Sequence, residues 1–600
     1  MKWFTAIIIV ILISLPGLTS FASGAGSFEK HPVNVPLVFD YYYSYDMVVE
    51  SLQKLHKAFP RLTRLDLVGR SEEGRGIYCM TVNNPETGEE GDKPGVYVDG
   101  NIHGNEIQAS EVALYLLNYI LAKYGKNDEI TRLVDKNVFY VVPVVNVDGR
   151  YHFLEDASPA GNRGLRRPHD DDHDGLVDED SPEDLDGDGN ICRMRKRDPN
   201  GDYKTDPEDP RIMVKVKPGE KGEWKMLGQE GIDNDGDGRI NEDSEGYVDG
   251  NRNWGFDWMP RYVESGAGDY PFSGTGIKAL GEYIRERPNI CMAWAFHNNG
   301  GMYLRGPGTK NQDEYPSGDI AVYDFLGKQA ERITPGYRYL ISWKDLYGTY
   351  GDFMEWMVMI NGAYGFVGEL FLSSQEQFRS IEEAKRIGTT ERALRTGEQD
   401  DDNMFRDNRE REMERLKFND NVVQGELFSP WKPYKHPTYG DVEIGGWVRL
   451  SSRLPAPFML KDLVHRNAMA VIFSAKNTPA VEMEVFDTRK IGKDLFRIRV
   501  RLVNSGAIPT MSFHAQQVNL YPKDMLTLSG SSAVVAAGGL ITNIYRDEVV
   551  YKEFRPEIQF LAVPGFGKVE YQFLISGSGS VTVRYRSRHA GKLEKTVQLR

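Results

Sequence analysis

The chain has 600 residues, 40% of them apolar and 27% charged, with a formal net charge of -15. That composition belongs to a folded chain with room for about two to four domains, not to a disordered one. The acidic balance excludes a nucleic-acid partner held through its phosphates. The three cysteines, Cys79, Cys192 and Cys291, are too few for a disulfide framework.

In chain order, Lys2 precedes an apolar run from Ala6 to Ile13, then Pro16 and small residues around Ala22 and Ser23. This predicts a signal peptide over 1–23 and an exported protein, extracellular or periplasmic. The run is short for a membrane span, and no later segment reaches spanning length. Residues 45–59 carry apolar positions at helical spacing and end at Pro60. Residues 62–68, 77–82 and 95–100 read as strands, 111–121 as a buried helix, and 138–145 as a central strand broken at Pro143. Strand, helix and strand in that order predict an α/β sheet, whose sites gather beyond the carboxyl ends of its strands. Residues 162–250 read as an insertion of polar loops, and 380–435 as a second charged, irregular stretch. From 481 to 600, short alternating strands between Gly, Ser and Asn turns predict a β-sandwich. The boundaries are thus 30–480 for a first, α/β domain and 481–600 for the tail.

His103-Gly104-Asn105-Glu106 places an imidazole and a carboxylate three residues apart where a strand passes into a helix. Both can turn onto one ion, and zinc accepts that donor set while leaving a position for water. By itself the spacing equally describes a polar loop with a Glu opening the helix. A third ligand is available in His297, at the end of the apolar run from Ala293 to Phe296 and before Gly300-Gly301.

Three segments repeat acid at positions 1, 3 and 5 followed by Gly: Asp170/Asp172/Asp174, Asp184/Asp186/Asp188 and Asp233/Asp235/Asp237. Alternating carboxylates can surround one hard cation, and the glycine permits the sharp turn. Position 12 is Ser181, Arg195 and Ser244, so the usual Glu is missing. These are calcium-type loops of structural purpose, not paired EF-hands; a solvated acidic insertion is the alternative.

The pieces Gly100 to Glu106, Asn146-Val147-Asp148-Gly149, Gly250-Asn251-Arg252-Asn253-Trp254, His297, Tyr347 to Trp356 and Phe366-Val367-Gly368-Glu369-Leu370 follow one another in an order that resembles the M14 zinc carboxypeptidase family. The resemblance covers about 38–475. It implies a mixed-sheet α/β catalytic domain, one zinc on His103, Glu106 and His297, and Glu369 as general base. It implies that Asn251 and Arg252 grip a substrate's terminal carboxylate and that Tyr347 closes over it. An arginine facing the oxyanion should be Arg163 or Arg166, with Arg167 also in range. The side-chain pocket position falls at Met354, which favours an apolar group, while Asp352 favours a basic one. His-Gly-Asn-Glu is similar to the regulatory branch of the family, and the spacing from Tyr347 to Trp356 to the digestive branch. Asn298-Asn299 departs from the family's usual Ser/Thr continuation. The function implied is hydrolysis of the C-terminal peptide bond of peptides or proteins. Rivals are an amidase or endopeptidase of the same fold acting on cell-wall or isopeptide substrates, and a non-catalytic binding protein that keeps the fold.

Overall fold

The computed structural model describes residues 35, 37–372, 401–451 and 453–599, with side chains from 409 onward in the helix Asp401–Asn421. The segment expected to be a signal peptide lies outside them, as does 373–400. Among the described residues no helix is long and apolar enough to cross a membrane.

The first half folds around an eight-stranded mixed sheet. Its spatial order is Thr63–Arg70, Gly76–Val82, Val138–Val142, Gly95–Gly100, Ile290–Asn298, Tyr364–Leu370, Met302–Arg305 and Arg338–Ile341. The four central strands run parallel. Val138–Val142, Gly95–Gly100 and Ile290–Asn298 are buried along their whole length, as expected of strands covered on both faces. Val138–Val142 stops at Pro143, which offers no N–H to the ladder. Helix Gln108–Lys123 packs against Leu460–Lys476, which in turn meets Ser317–Ile333, and together they form one layer. On the other side Trp254, Phe272, Phe353 and Trp356 pack edge to face. Parallel central strands bring their carboxyl ends to one edge, where His103, Asn146, His297 and Glu369 follow or end them.

Residues 162–250 contain more than polar loops. Arg193–Arg197, Tyr203–Thr205, Met213–Lys215 and Trp224–Gln229 join Phe428–His436 and Gly440–Trp447 in a six-stranded sheet. Its core, built on Met194, Val442 and Ile444, draws on segments more than two hundred residues apart in sequence, a pairing that local pattern does not reveal. The stretch expected to be irregular is helical over Asp401–Asn421 and enters that sheet at Phe428.

From Val481 the chain forms two antiparallel sheets of five and four strands. They share an apolar core that includes Phe496, Ile498, Leu526, Phe573, Val583 and Tyr585. This all-β region docks on the sheet region. Asp319 accepts hydrogen bonds from the backbone N–H of Phe513 (3.0 Å) and His514 (2.8 Å), and Arg588 donates to the Pro288 carbonyl at 2.6 Å.

Candidate metal centre

Two motifs hold each other in place below the centre. A Cβ on Gly104 would lie 2.6 Å from the Gly149 Cα, so the His103 turn and the Asn146 turn touch backbone to backbone. Asn146 accepts from the Gly149 N–H at 2.8 Å and donates to the carbonyl of Gly164 (2.8 Å). The Gly104 N–H donates to the Arg163 carbonyl at 3.0 Å. Asn101, in the left-handed region at φ 59°, donates from its side chain to the carbonyl of His103 at 2.6 Å. Below, the fully buried Arg150 pairs with Glu111 at 2.6 Å and fixes the opening of helix Gln108–Lys123.

Above this frame the side chains of His103, Glu106 and His297 converge, all buried. The two Nδ1 atoms lie 3.2 Å apart, and each lies 3.0 Å from the Glu106 carboxylate. A tetrahedral ion with bonds of about 2.0–2.1 Å has ligand–ligand edges of about 3.3–3.4 Å, so this triangle fits zinc. Two facing imidazole nitrogens beside a buried carboxylate also make a donor set that a cation satisfies better than their own protons do. Burial opposes ionisation of Glu106, but the two histidines hold it well below the usual carboxylate range.

Asp249 orders the other side of His103. It accepts from His103 Nε2 at 2.9 Å, and its second oxygen pairs with Arg163 Nη2 at 2.8 Å. Against burial, His103, Arg252 and Arg163 keep it ionised far below its ordinary range. A carboxylate on the free nitrogen of a metal-binding imidazole fixes the tautomer and the ring. Of the three arginines in contention, Arg163 is the one beside the metal ligands. Arg166 turns away to Glu245 and Glu73, and Arg167 donates to the Ser273 carbonyl and pairs with Asp269. Arg166 therefore does not face the site.

Glu369 ends its strand opposite His297, its register partner in the neighbouring parallel strand. Burial, reinforced by Glu106 and opposed by His297, Arg163 and Arg453, pushes its carboxyl up to about 7. Arg252 is nearly buried. It donates to Glu264 at 3.1 Å and to the Asn251 carbonyl at 2.9 Å, while the Asn251 side chain accepts from the Phe353 N–H at 3.0 Å. Tyr347 is half exposed, and its hydroxyl sits in the electrostatic field of both Arg163 and Arg252. Asp352 caps helix Phe353–Asn361: one oxygen accepts from the Glu355 N–H (2.9 Å), the other from the Thr349 hydroxyl (3.1 Å). Met354 is buried beneath Gly365.

Sequence reasoning missed Asp249, although an acid two residues before Asn251 was visible in Asp249-Gly250-Asn251-Arg252. It also missed Arg453, which sits at φ 62° and reaches 3.5 Å from the Glu106 carboxylate. No local signal marks that residue. The acidic loops share one geometry: in each, the first Asp accepts backbone N–H groups from further round its loop, including that of the Gly at position 6. The loops at 170 and 233 lie side by side, and their carboxylates form mixed groups able to hold a cation.

The zinc carboxypeptidase family model matches residues 48–206, and a domain of unknown function matches 480–598. Carboxypeptidase D of Anas platyrhynchos is 33% identical over 135 residues, 22% of this chain and 9% of that protein. The carboxypeptidase N catalytic chain of Rattus norvegicus is 33% identical over 115 residues, 19% of this chain and 25% of that one. The matched stretches are thus a small part of those relatives' length. Carboxypeptidase A from Helicoverpa armigera, a solved structure, is 19% identical with a TM-score of 0.38, covering 56% of this chain and 66% of its own. The family match ends before Asn251, His297 and Glu369; the parallel strands bring His297 and Glu369 to the His103 turn, and Asp249 ties the Asn251 turn to His103. Residues 48–206 are thus similar to the zinc carboxypeptidases of the M14 peptidase family, and the fold completes a His103–Glu106–His297 triad there, ahead of a distinct all-β region.

Proposed function

We propose that the protein is an exported metallocarboxypeptidase that removes C-terminal residues from peptides or proteins. The reading rests on one observation above the rest: a zinc-sized triangle of two imidazoles and a carboxylate stands beside Glu369, with Arg163 and Arg252 on the same rim. When bound, zinc supplies Lewis acidity that polarises the scissile carbonyl and lowers the pKa of water. Glu369 takes the proton from the attacking water and passes it to the leaving amine. Arg163 donates to the oxygen on which charge develops. Arg252, held by Glu264, and Asn251 receive the terminal carboxylate, and Tyr347 covers it. That grip selects the last peptide bond.

Residues 30–480 form the catalytic domain in this reading, and 481–600 a β-sandwich that packs against it. The acidic loops hold calcium-class cations as structural ligands. Export is supported by the charged and apolar pattern of the first residues. The decisive experiment is digestion of a peptide library with and without chelator, alongside Glu369→Gln. The expected result is C-terminal shortening that the chelator abolishes, and a variant that keeps zinc but loses at least ~10²-fold in turnover. Internal cleavage would favour the endopeptidase or amidase reading. Near-normal turnover of the variant would remove Glu369 from the mechanism.

A further inference from the structure

Two of the three acidic loops have more in common than the Asp-x-Asp-x-Asp-Gly pattern. In 170–180 and 233–243, positions 10 and 11 are Glu-Asp: Glu179-Asp180 and Glu242-Asp243. The loop starting at Asp184 has Arg193-Met194 there and stands apart, with Ser429 donating to Asp188 at 2.9 Å and Lys432 facing Asp186. The two matching loops are joined by an isolated antiparallel bridge between Asp180 and Asp243, so their ends cross over. Asp243 groups with Asp172 and Glu179 of the other loop, and Asp172 groups with Asp235, Asp237 and Glu242. In the reverse direction Asp180 faces Glu242 and Asp235, and accepts from the Asn234 side chain at 3.1 Å.

A second observation points to a ligand. Asp180 is 0% exposed, yet its Oδ2 has no hydrogen-bond partner among the described residues. Both carboxylate oxygens of Glu242 and Oε2 of Glu179 are likewise buried and unpartnered among the described residues. Native proteins rarely leave such atoms unsatisfied, and carboxylates packed against carboxylates repel unless a cation lies between them. The missing Glu at position 12 is thereby explained: Glu at position 10 and an Asp lent by the opposite loop supply the oxygens that hard cations need.

We propose that 170–180 and 233–243 form one two-ion centre for hard divalent cations, each loop completing its ligand set with the position-11 Asp of the other. The ions bind as a pair, because Asp172 belongs to both groups and each site borrows from its neighbour. A second isolated antiparallel bridge, Leu165 to Val248, ties the same two segments together beside Arg163, Asp249, Asn251 and Arg252 of the catalytic rim. A cavity of about 700 Å³ is lined by Arg163 and Asp249 of that rim together with Asp178, Glu179 and Glu245. Filling the centre therefore holds the substrate clamp in register.

This inference rests on the calcium reading above, and calorimetric titration of calcium into the full-length, zinc-loaded chain separates the two. Asp235→Asn should remove two ions at once. Asp180→Asn, which leaves every Asp-x-Asp-x-Asp-Gly segment intact, should weaken calcium at both loops by on the order of tenfold, since ligand charge sets affinity. Asp184→Asn should cost at most one ion and leave the pair intact. Zinc content, measured in parallel, reports whether each variant has folded. Should Asp235→Asn fail to fold, Asp243→Asn repeats the test from the other loop. Loss of a single ion on Asp235→Asn, with the remaining sites unchanged, overturns the exchange while calcium binding stands. A wild-type chain that takes up no calcium overturns both.

Discussion

Acid should weaken the all-β region through one histidine. His589 is buried beneath Tyr521 against Pro288, at the contact with the sheet region. Burial and the neighbouring Arg588 charge hold its pKa down to about 3, from 6.5 in the unfolded chain, outweighing the backbone carbonyls of Pro288 and Thr510. The folded state keeps this ring neutral, whereas the unfolded state protonates it below pH 6.5. Stability from this residue is therefore complete above pH 6.5 and falls as the pH drops from there toward 3. At pH 5 the loss is about 2 kcal/mol, from roughly 1.4 kcal/mol per pH unit. Asp524, pushed up to about 6 by burial, works in the opposite sense, so the comparison must be between chains that share it. Urea unfolding of the wild type and His589→Asn at pH 7 and pH 5 makes that comparison. The stability advantage of the wild type should shrink by about 2 kcal/mol at the lower pH. A difference that stays constant with pH would show that His589 does not titrate on unfolding, and the reasoning would fail.

Asp249→Asn should lower zinc affinity by about 10–100-fold, measured by competition with a chromogenic chelator, because it orients His103 from behind; unchanged affinity would remove it from that role. Gly104→Ala should cost about 1–3 kcal/mol in thermal unfolding, since its methyl group would press on the Gly149 backbone; a neutral result would mean the two turns can separate freely. A chain ending at residue 480 should bind zinc and cut small peptides yet melt at a lower temperature. Asp319 would lose the Phe513 and His514 N–H groups, and the main core would lose Ile508. A folded, zinc-loaded 1–480 chain without peptidase activity would mean that the tail completes the active site.

The α/β order and the strand-like tail were legible because they depend on local periodicity: buried parallel strands are apolar throughout, and half-exposed ones alternate. The pairing of His103 with Glu106 was legible for a similar reason, since three residues of one turn fix their relation. His297 and Glu369 could be ordered by motif, but only the parallel pairing of their strands puts them side by side. Three decisions belonged to the tertiary structure. Arg163, Arg166 and Arg167 are equivalent as residue types, and which one faces His103 follows from Asn146 and Gly104 gripping the Arg163 backbone. The sheet built from 193–229 and 428–447 depends on contacts across two hundred residues, which no window of local sequence contains. The acidic loops were visible one by one as repeats. Their pairing was not, because an antiparallel bridge between Asp180 and Asp243 joins residues whose own neighbours carry no strand pattern.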